Sequence, residues 1–207
     1  MTLRSNLTRG RTYHLLDDHT PRRQAHVDVR SLTQRLQSHA FHEAGHAVLG
    51  MLAGLTCEHV KLHRVEQDGF TGWSGVTRWA PSTGRPLDLA VALGAAGEVA
   101  ALRQLEESGQ LNAATARAVQ SDHDKQAVIS LLAAAGHPVS DSASAARGSF
   151  TWEDVRKQAR DDVLREWPCI TAVALALLAD PDFTLSGDQA AQAAGMENPV
   201  QRNEPGL

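Results

Sequence analysis

Apolar residues recur with a helical period over residues 31–54 of the chain. The repeating positions are Leu32, Leu36, Ala40, Ala44, Ala47, Val48, Met51 and Leu52. Ser31 followed three residues later by Gln34 has the form of a capping box, which marks a helix start. Gly54 is suited to the position just after a helix end. The pattern therefore predicts one long helix.

The next segment changes from a helical to an alternating pattern. Residues 59–65 alternate as a half-buried strand does, residues 67–69 offer a turn, and residues 73–79 can form a second strand. These segments predict a small β-hairpin.

Helical patterns return at residues 87–107 and 112–135. Gly94 and Gly97 fall inside the first of these, where each costs about 1 kcal/mol relative to alanine. We therefore expect another helix to approach closely there.

The C-terminal third also reads as helical. Thr151 to Asp154 forms a capping box that opens a helix, and Pro168 interrupts or restarts it before the apolar run 170–179. A last short helix is predicted near Ser186. The predicted fold is mainly α within the α+β class: a helical bundle around the first helix, with a small β-hairpin or short sheet.

The chain of 207 residues divides into three predicted parts. Residues 1–30 form an Arg-rich segment, residues 31–195 one domain, and residues 196–207 a polar tail. The Arg-rich segment is read as a solvated arm, with docking to an acidic protein partner as the alternative. The net charge of −4 gives no reason to expect nucleic acid or an anionic membrane as a partner.

Several features bear on location. The longest apolar run, residues 170–179, is far shorter than the roughly 20 residues that span a bilayer, and the N-terminus lacks the apolar core of a signal peptide. Cys57 and Cys169 match no metal or redox spacing. We expect a soluble protein in a reducing compartment, the cytoplasm.

The strongest chemical signal is the pentapeptide His42-Glu43-Ala44-Gly45-His46, an H-E-x-x-H motif. Residues four apart share one face of a helix, so both imidazoles can reach one ion. Glu43 then stands beside the ion without being a ligand, where it can accept a proton from a polarised water. The motif in its helix favours a zinc-dependent peptidase over two ordinary histidines.

Catalytic zinc usually takes three protein ligands, so a third must come from elsewhere. His39 is discounted because three ligands from one helix seldom converge. The acidic cluster at residues 121–124, with Asp122 and Asp124, is the strongest source, although aspartate is also common as a helix cap. Other options are Glu98, the strand histidines His59 and His63, and His14, His19 and His26 near the N-terminus. The residues alone leave these options open.

Over roughly residues 38–195 the chain resembles the peptidase domain of the FtsH family of ATP-dependent zinc proteases. Residues 42–47 read H-E-A-G-H-A as in that family, and residues 94–98 are similar to its G-x-A-A-E helix with one change. The strand and Gly-containing turn at residues 60–72, Ser121-Asp122 and residues 185–188 follow in the family's order.

The resemblance implies zinc held by His42, His46 and Asp122, with Glu43 as the proton acceptor. Asp124 stays open as the alternative third ligand because the spacing to Ala127 departs from the family pattern. Buried metal-binding histidines need partners that orient them, and Glu98 is the candidate for that role, with an ordinary surface glutamate as the alternative.

The chain also differs from that family, because it has no G-x-x-x-x-G-K-[ST] motif of an ATPase. We therefore expect a stand-alone zinc endopeptidase that acts without ATP on peptides, tails or unfolded segments. The alternatives are a catalytically inactive zinc-binding adaptor or regulator of the same fold, and a helical interaction protein with a chance motif.

Overall fold

The structure of the protein is a computed structural model that describes residues 31–67, 70–80, 85–137, 139–140 and 150–200. The Arg-rich segment, the hairpin turn at 68–69 and most of the predicted loop at 139–149 lie outside the described residues.

Helices dominate the described part of the chain. They are α1 (Leu32–Leu52), α2 (Pro86–Ala90), α3 (Ala96–Glu107), α4 (Ala113–Ala118), α5 (Asp122–Ala134), α6 (Trp152–Arg165), α7 (Trp167–Ala179) and α8 (Gly187–Ala194), with a π-helical turn at Val91–Ala95. The strands are β1 (Cys57–Gln67), β2 (Phe70–Trp79), β3 (Val139–Ser140), β4 (Phe150–Thr151) and β5 (Thr184–Ser186). The predicted fold class, mainly α within α+β, is confirmed.

Helix α1 is the centre of the fold. Ser31 and Gln34 form the predicted capping box, in which each side chain accepts a hydrogen bond from the backbone N–H of the other residue. From Ala40 to Met51 the helix is almost wholly buried, and it packs against α3, α7 and β2. A Cβ at Gly45 would lie 2.7 Å from the Ala96 carbonyl oxygen, so glycine allows α1 and α3 to approach closely.

The main sheet is antiparallel, with strand order β2–β1–β5. The predicted hairpin is confirmed by the pairing of β1 with β2, whereas β5 was not predicted. Since β1 is paired on both sides, β2 is an edge strand of the described sheet.

The register shows which backbone groups of β2 face outward. The Leu62 N–H donates to the Phe183 carbonyl oxygen across 2.9 Å, so Leu62 directs its backbone toward β5 and away from its β2 partner, Gly75. Both groups of a residue in an antiparallel strand point the same way and alternate along the strand. Trp73, Gly75 and Thr77 therefore direct their N–H and C=O groups toward the edge of β2 that β1 does not cover.

The predicted helix over residues 112–135 is divided in the structure. Helices α4 and α5 are separated at residues 119–121, because the Ser121 hydroxyl accepts from the Asp124 N–H and starts a new helix. The predicted helix at 87–107 is continuous but contains the π-helical turn. Pro168 lies in the first turn of α7, as its role in restarting a helix predicts.

Part of the predicted polar tail packs on the domain. The Asn198 side chain accepts from the Cys57 N–H and donates to the Cys57 carbonyl oxygen, each across 2.9 Å. Among the described residues, none of the helices combines the length and apolar character that crossing a bilayer requires.

Candidate metal centre

His42, His46 and Asp124 bring three ligand atoms together between α1 and α5. The His42 Nε2 lies 3.1 Å from the His46 Nε2 and 3.1 Å from the Asp124 Oδ2. The third side of this triangle, from the His46 Nε2 to the Asp124 Oδ2, is 3.7 Å. All three side chains are mostly shielded from solvent.

These distances fit one small ion. A tetrahedral zinc ion with bonds of about 2.0–2.1 Å has ligand atoms about 3.3 Å apart. The circle through the three atoms has a radius of about 1.9 Å, so a point just off their plane lies at bonding distance from each. The His-His-Asp group can therefore hold a metal ion.

Gly97 of α3 leaves the room that this cluster needs. A Cβ at that position would lie 2.5 Å from the Nε2 atoms of both His42 and His46, closer than any real Cβ approaches. Gly94 similarly meets the Trp152 ring of α6, with 3.0 Å from an added Cβ to the nearest ring carbon. The predicted close approach at both glycines is therefore present, and at Gly97 it is to the two imidazoles.

The structure brings Asp124 into the cluster, in place of Asp122, which the resemblance favours. The two residues are the third and first of α5, so they are about 200° apart around its axis and cannot both face α1. Asp122 is exposed, and its charge acts instead on Glu98. Of the other candidates, His59 and His63 lie on β1, and His39 lines the cleft beside the cluster.

The electrostatics of the cluster show strong coupling between its members. Burial raises the pKa of Asp124, but hydrogen bonds and charge from His42 and His46 outweigh burial and hold that pKa well below its usual range. Burial lowers the pKa of His46, but Asp124, Glu43 and the Ala92 carbonyl oxygen raise it to about 9. These interactions favour the protonated form of His46 at neutral pH.

The π-helical turn orients His46. The Ala92 carbonyl oxygen in this turn lies 2.6 Å from the His46 Nδ1, which carries a proton and donates it to that oxygen. The Nε2 is then the nitrogen that faces the cluster, as a metal ligand requires. Turns of this type often mark functional sites, but the sequence offered no signal for Ala92 beyond its two neighbouring glycines.

Glu98 lies beside the cluster and is paired with Arg156. Its Oε1 is 3.0 Å from the Arg156 Nη2. Burial raises the pKa of Glu98, while the charges of Arg156 and His42 oppose that rise. Glu98 is thus near His42, whereas the orientation of His46 comes from Ala92.

Glu43 is buried at the wall of the same cleft, and sequence reasoning missed the two β2 residues that contact it. The Thr77 Oγ1 donates to the Glu43 Oε2 across 2.7 Å. A Cβ at Gly75 would lie 2.5 Å from the Glu43 Oε1, so glycine is needed there. The cleft encloses about 220 Å³ between β2 and the connection from α4 to α5.

No family model matches the chain, and no curated protein matches it.

Proposed function

We propose that the protein is a zinc-dependent endopeptidase that cleaves extended peptides or unfolded segments and needs no ATP as a single chain. The observation that carries the proposal is the position of the buried Glu43 carboxylate in the same cleft as the His42, His46 and Asp124 cluster. Two imidazoles and one carboxylate are a donor set typical of catalytic zinc, which keeps its fourth position for water or substrate. The resemblance to the FtsH peptidase domain is part of this proposal.

Each residue then has a chemical task. A bound zinc ion would supply Lewis acidity, polarising the scissile carbonyl and acidifying water. Glu43 accepts the proton of the attacking water and later delivers it to the leaving amine. Ala92 keeps the His46 Nε2 directed at the cluster, and Gly97 keeps the space around both imidazoles open.

The edge of β2 that no other described strand covers supports an extended peptide as the substrate. Trp73, Gly75 and Thr77 direct backbone groups outward, and residues 74–77 line the cleft. A peptide that adds to this edge as a strand is held by main-chain hydrogen bonds, which tolerate many sequences. Binding through main-chain groups suits unfolded segments, whose sequences vary.

The proposed location is the cytoplasm. Cys57 and Cys169 are both free thiols, which suits a reducing compartment. A separate protein partner for residues 1–30 stays a proposal of the same kind, outside the described residues.

The test compares zinc content and cleavage of unfolded casein for the protein and its Glu43→Gln variant. We expect one zinc per chain in both, and a loss of cleavage of at least about 100-fold in the variant, because the proton acceptor is gone. Glu106→Gln removes the same charge from an exposed position of α3 and should leave both quantities unchanged. If the unmodified protein binds zinc but cleaves no casein, the result would favour the inactive zinc-binding adaptor. If the purified protein contains no zinc, the result would refute both the peptidase and the adaptor.

A further inference from the structure

Thr77 is a buried polar residue of β2. Its side chain is 6% exposed and faces α1. The hydroxyl carries a single proton, and the nearest acceptor is the Glu43 Oε2 at 2.7 Å, with the Glu43 carbonyl oxygen farther away at 3.1 Å. A buried hydroxyl directed at a carboxylate restricts the conformations of that carboxylate.

The other carboxylate oxygen of Glu43 has a different neighbour. It lies against the bare Cα of Gly75, where a Cβ would be 2.5 Å from the Oε1 and 2.5 Å from the Cγ. Thr77 therefore engages the Oε2, while the Oε1 lies against Gly75. The two oxygens therefore have different neighbours, and the Oε1 is the one that Thr77 does not engage.

The same two residues are among those whose backbone groups face outward from β2. Gly75 and Thr77 both direct N–H and C=O toward the free edge, while their Cα and side chain contact Glu43. A peptide strand paired with that edge would restrict the movement of β2 at these positions. The restriction would reach Glu43 through one hydrogen bond and one close contact.

We propose that Thr77 is a positioning residue that fixes Glu43 through its Oε2, and that a peptide paired with β2 tightens this contact. The inference rests on the proposed peptidase function. During turnover the water proton moves to the Glu43 Oε1 and then to the leaving nitrogen, while Thr77 keeps its own proton throughout. Long peptides that cover the edge of β2 should therefore be turned over faster than short ones with the same scissile bond.

The first experiment measures kcat and KM of the zinc-loaded protein on a short and a long peptide with one shared scissile bond. Thr77→Val keeps the shape of the side chain and removes the hydroxyl, so we expect kcat on the long peptide to fall at least about tenfold with KM nearly unchanged. The advantage of the long peptide in kcat should disappear. Thr77→Ser should restore most of the kcat and most of the advantage of the long peptide. The zinc content should stay at one per chain in both variants.

Thr71→Val is the matched control on the same strand. The Thr71 carbonyl oxygen accepts from the Arg35 Nη1 across 3.3 Å, and this backbone contact does not need the Thr71 hydroxyl, so the variant removes a hydroxyl from β2 and keeps the contact. This variant should keep the unmodified kinetics. Unmodified kcat in Thr77→Val, or equal losses in Thr77→Val and Thr77→Ser, would overturn the positioning role.

A second experiment needs no catalysis and separates this inference from the proposed function. The melting temperature of the metal-free protein is measured for Thr77→Val, Glu43→Ala and the double variant. If the hydroxyl contacts the carboxylate, the double variant loses less than the sum of the single losses. Additive losses would overturn the contact, whereas a protein that binds zinc and shows non-additive losses but cleaves no peptide would refute the peptidase proposal alone.

Discussion

Replacing Gly97 with alanine should separate metal binding from folding. The added Cβ would lie 2.5 Å from the Nε2 atoms of His42 and His46 and 2.6 Å from the His42 Cδ2. Ordinary contacts begin near 3.4 Å, so each imidazole must move by about 0.9 Å or the helices must separate. Metal sites tolerate errors of only about 0.2 Å in ligand distance. We therefore expect zinc affinity to fall at least about 100-fold.

The effect of Gly97→Ala on folding should be small by comparison. Alanine in a helix interior gains about 1 kcal/mol over glycine, while overpacking a buried contact costs about 1–3 kcal/mol. The free energy of unfolding of the metal-free protein should therefore fall by no more than about 2 kcal/mol. Zinc competition with a chromophoric chelator and urea unfolding measure the two quantities separately.

Gly94→Ala is the control for Gly97→Ala, since it adds the same methyl group to the same helical run. Its Cβ would meet the Trp152 ring at 3.0 Å and the Val128 side chain at 3.3 Å, away from the imidazoles. It should alter stability and leave zinc affinity within about threefold. Unchanged zinc affinity in Gly97→Ala would refute the placement of the ion between the two histidines.

Three further predictions concern the ligands. Asp124→Asn should lower zinc affinity at least about 100-fold in the competition assay. Asp122→Asn changes the exposed neighbour and should lower zinc affinity less than about threefold in the same assay. Equal losses in the two variants would indicate that Asp122 is also a ligand. Because the pKa of His46 is raised from 6.5 to about 9 in the metal-free protein, an ion must displace a proton, and zinc affinity should rise about tenfold per pH unit from pH 6.5 to pH 9. The stability of the metal-free protein should change in the opposite direction, since the contribution of the protonated His46 is full below pH 6.5 and is lost as the pH rises through about 9.

Features set within one helix were predictable from the sequence. The Ser31 capping box, the apolar repeat of α1 and the shared face of His42 and His46 all depend on residues three or four apart. The β-hairpin followed from alternation over two short segments. In each case the interactions that determine the feature join residues close together in the chain, so the feature can be predicted from the sequence.

The third ligand could not be predicted from local sequence patterns. Residues 112–135 read as one helix, and only the cap at Ser121 decides that a new helix begins there and turns Asp124 toward α1. The contact of Thr77 with Glu43 required the register of β2 against α1, which joins residues 34 positions apart. Tertiary packing sets both features, and neither has a signature in spacing or composition.

The π-helical turn means that the metal centre depends on a single extra residue. A turn of this type holds one more residue than an α-helical turn, so removing one residue from Val91–Ala95 would leave a regular helix. The Ala92 carbonyl oxygen lies in this turn, so the deletion would disturb the group that accepts the proton of the His46 Nδ1. The irregular turn is therefore part of the ion site, because it contains the acceptor that orients one of the two imidazoles.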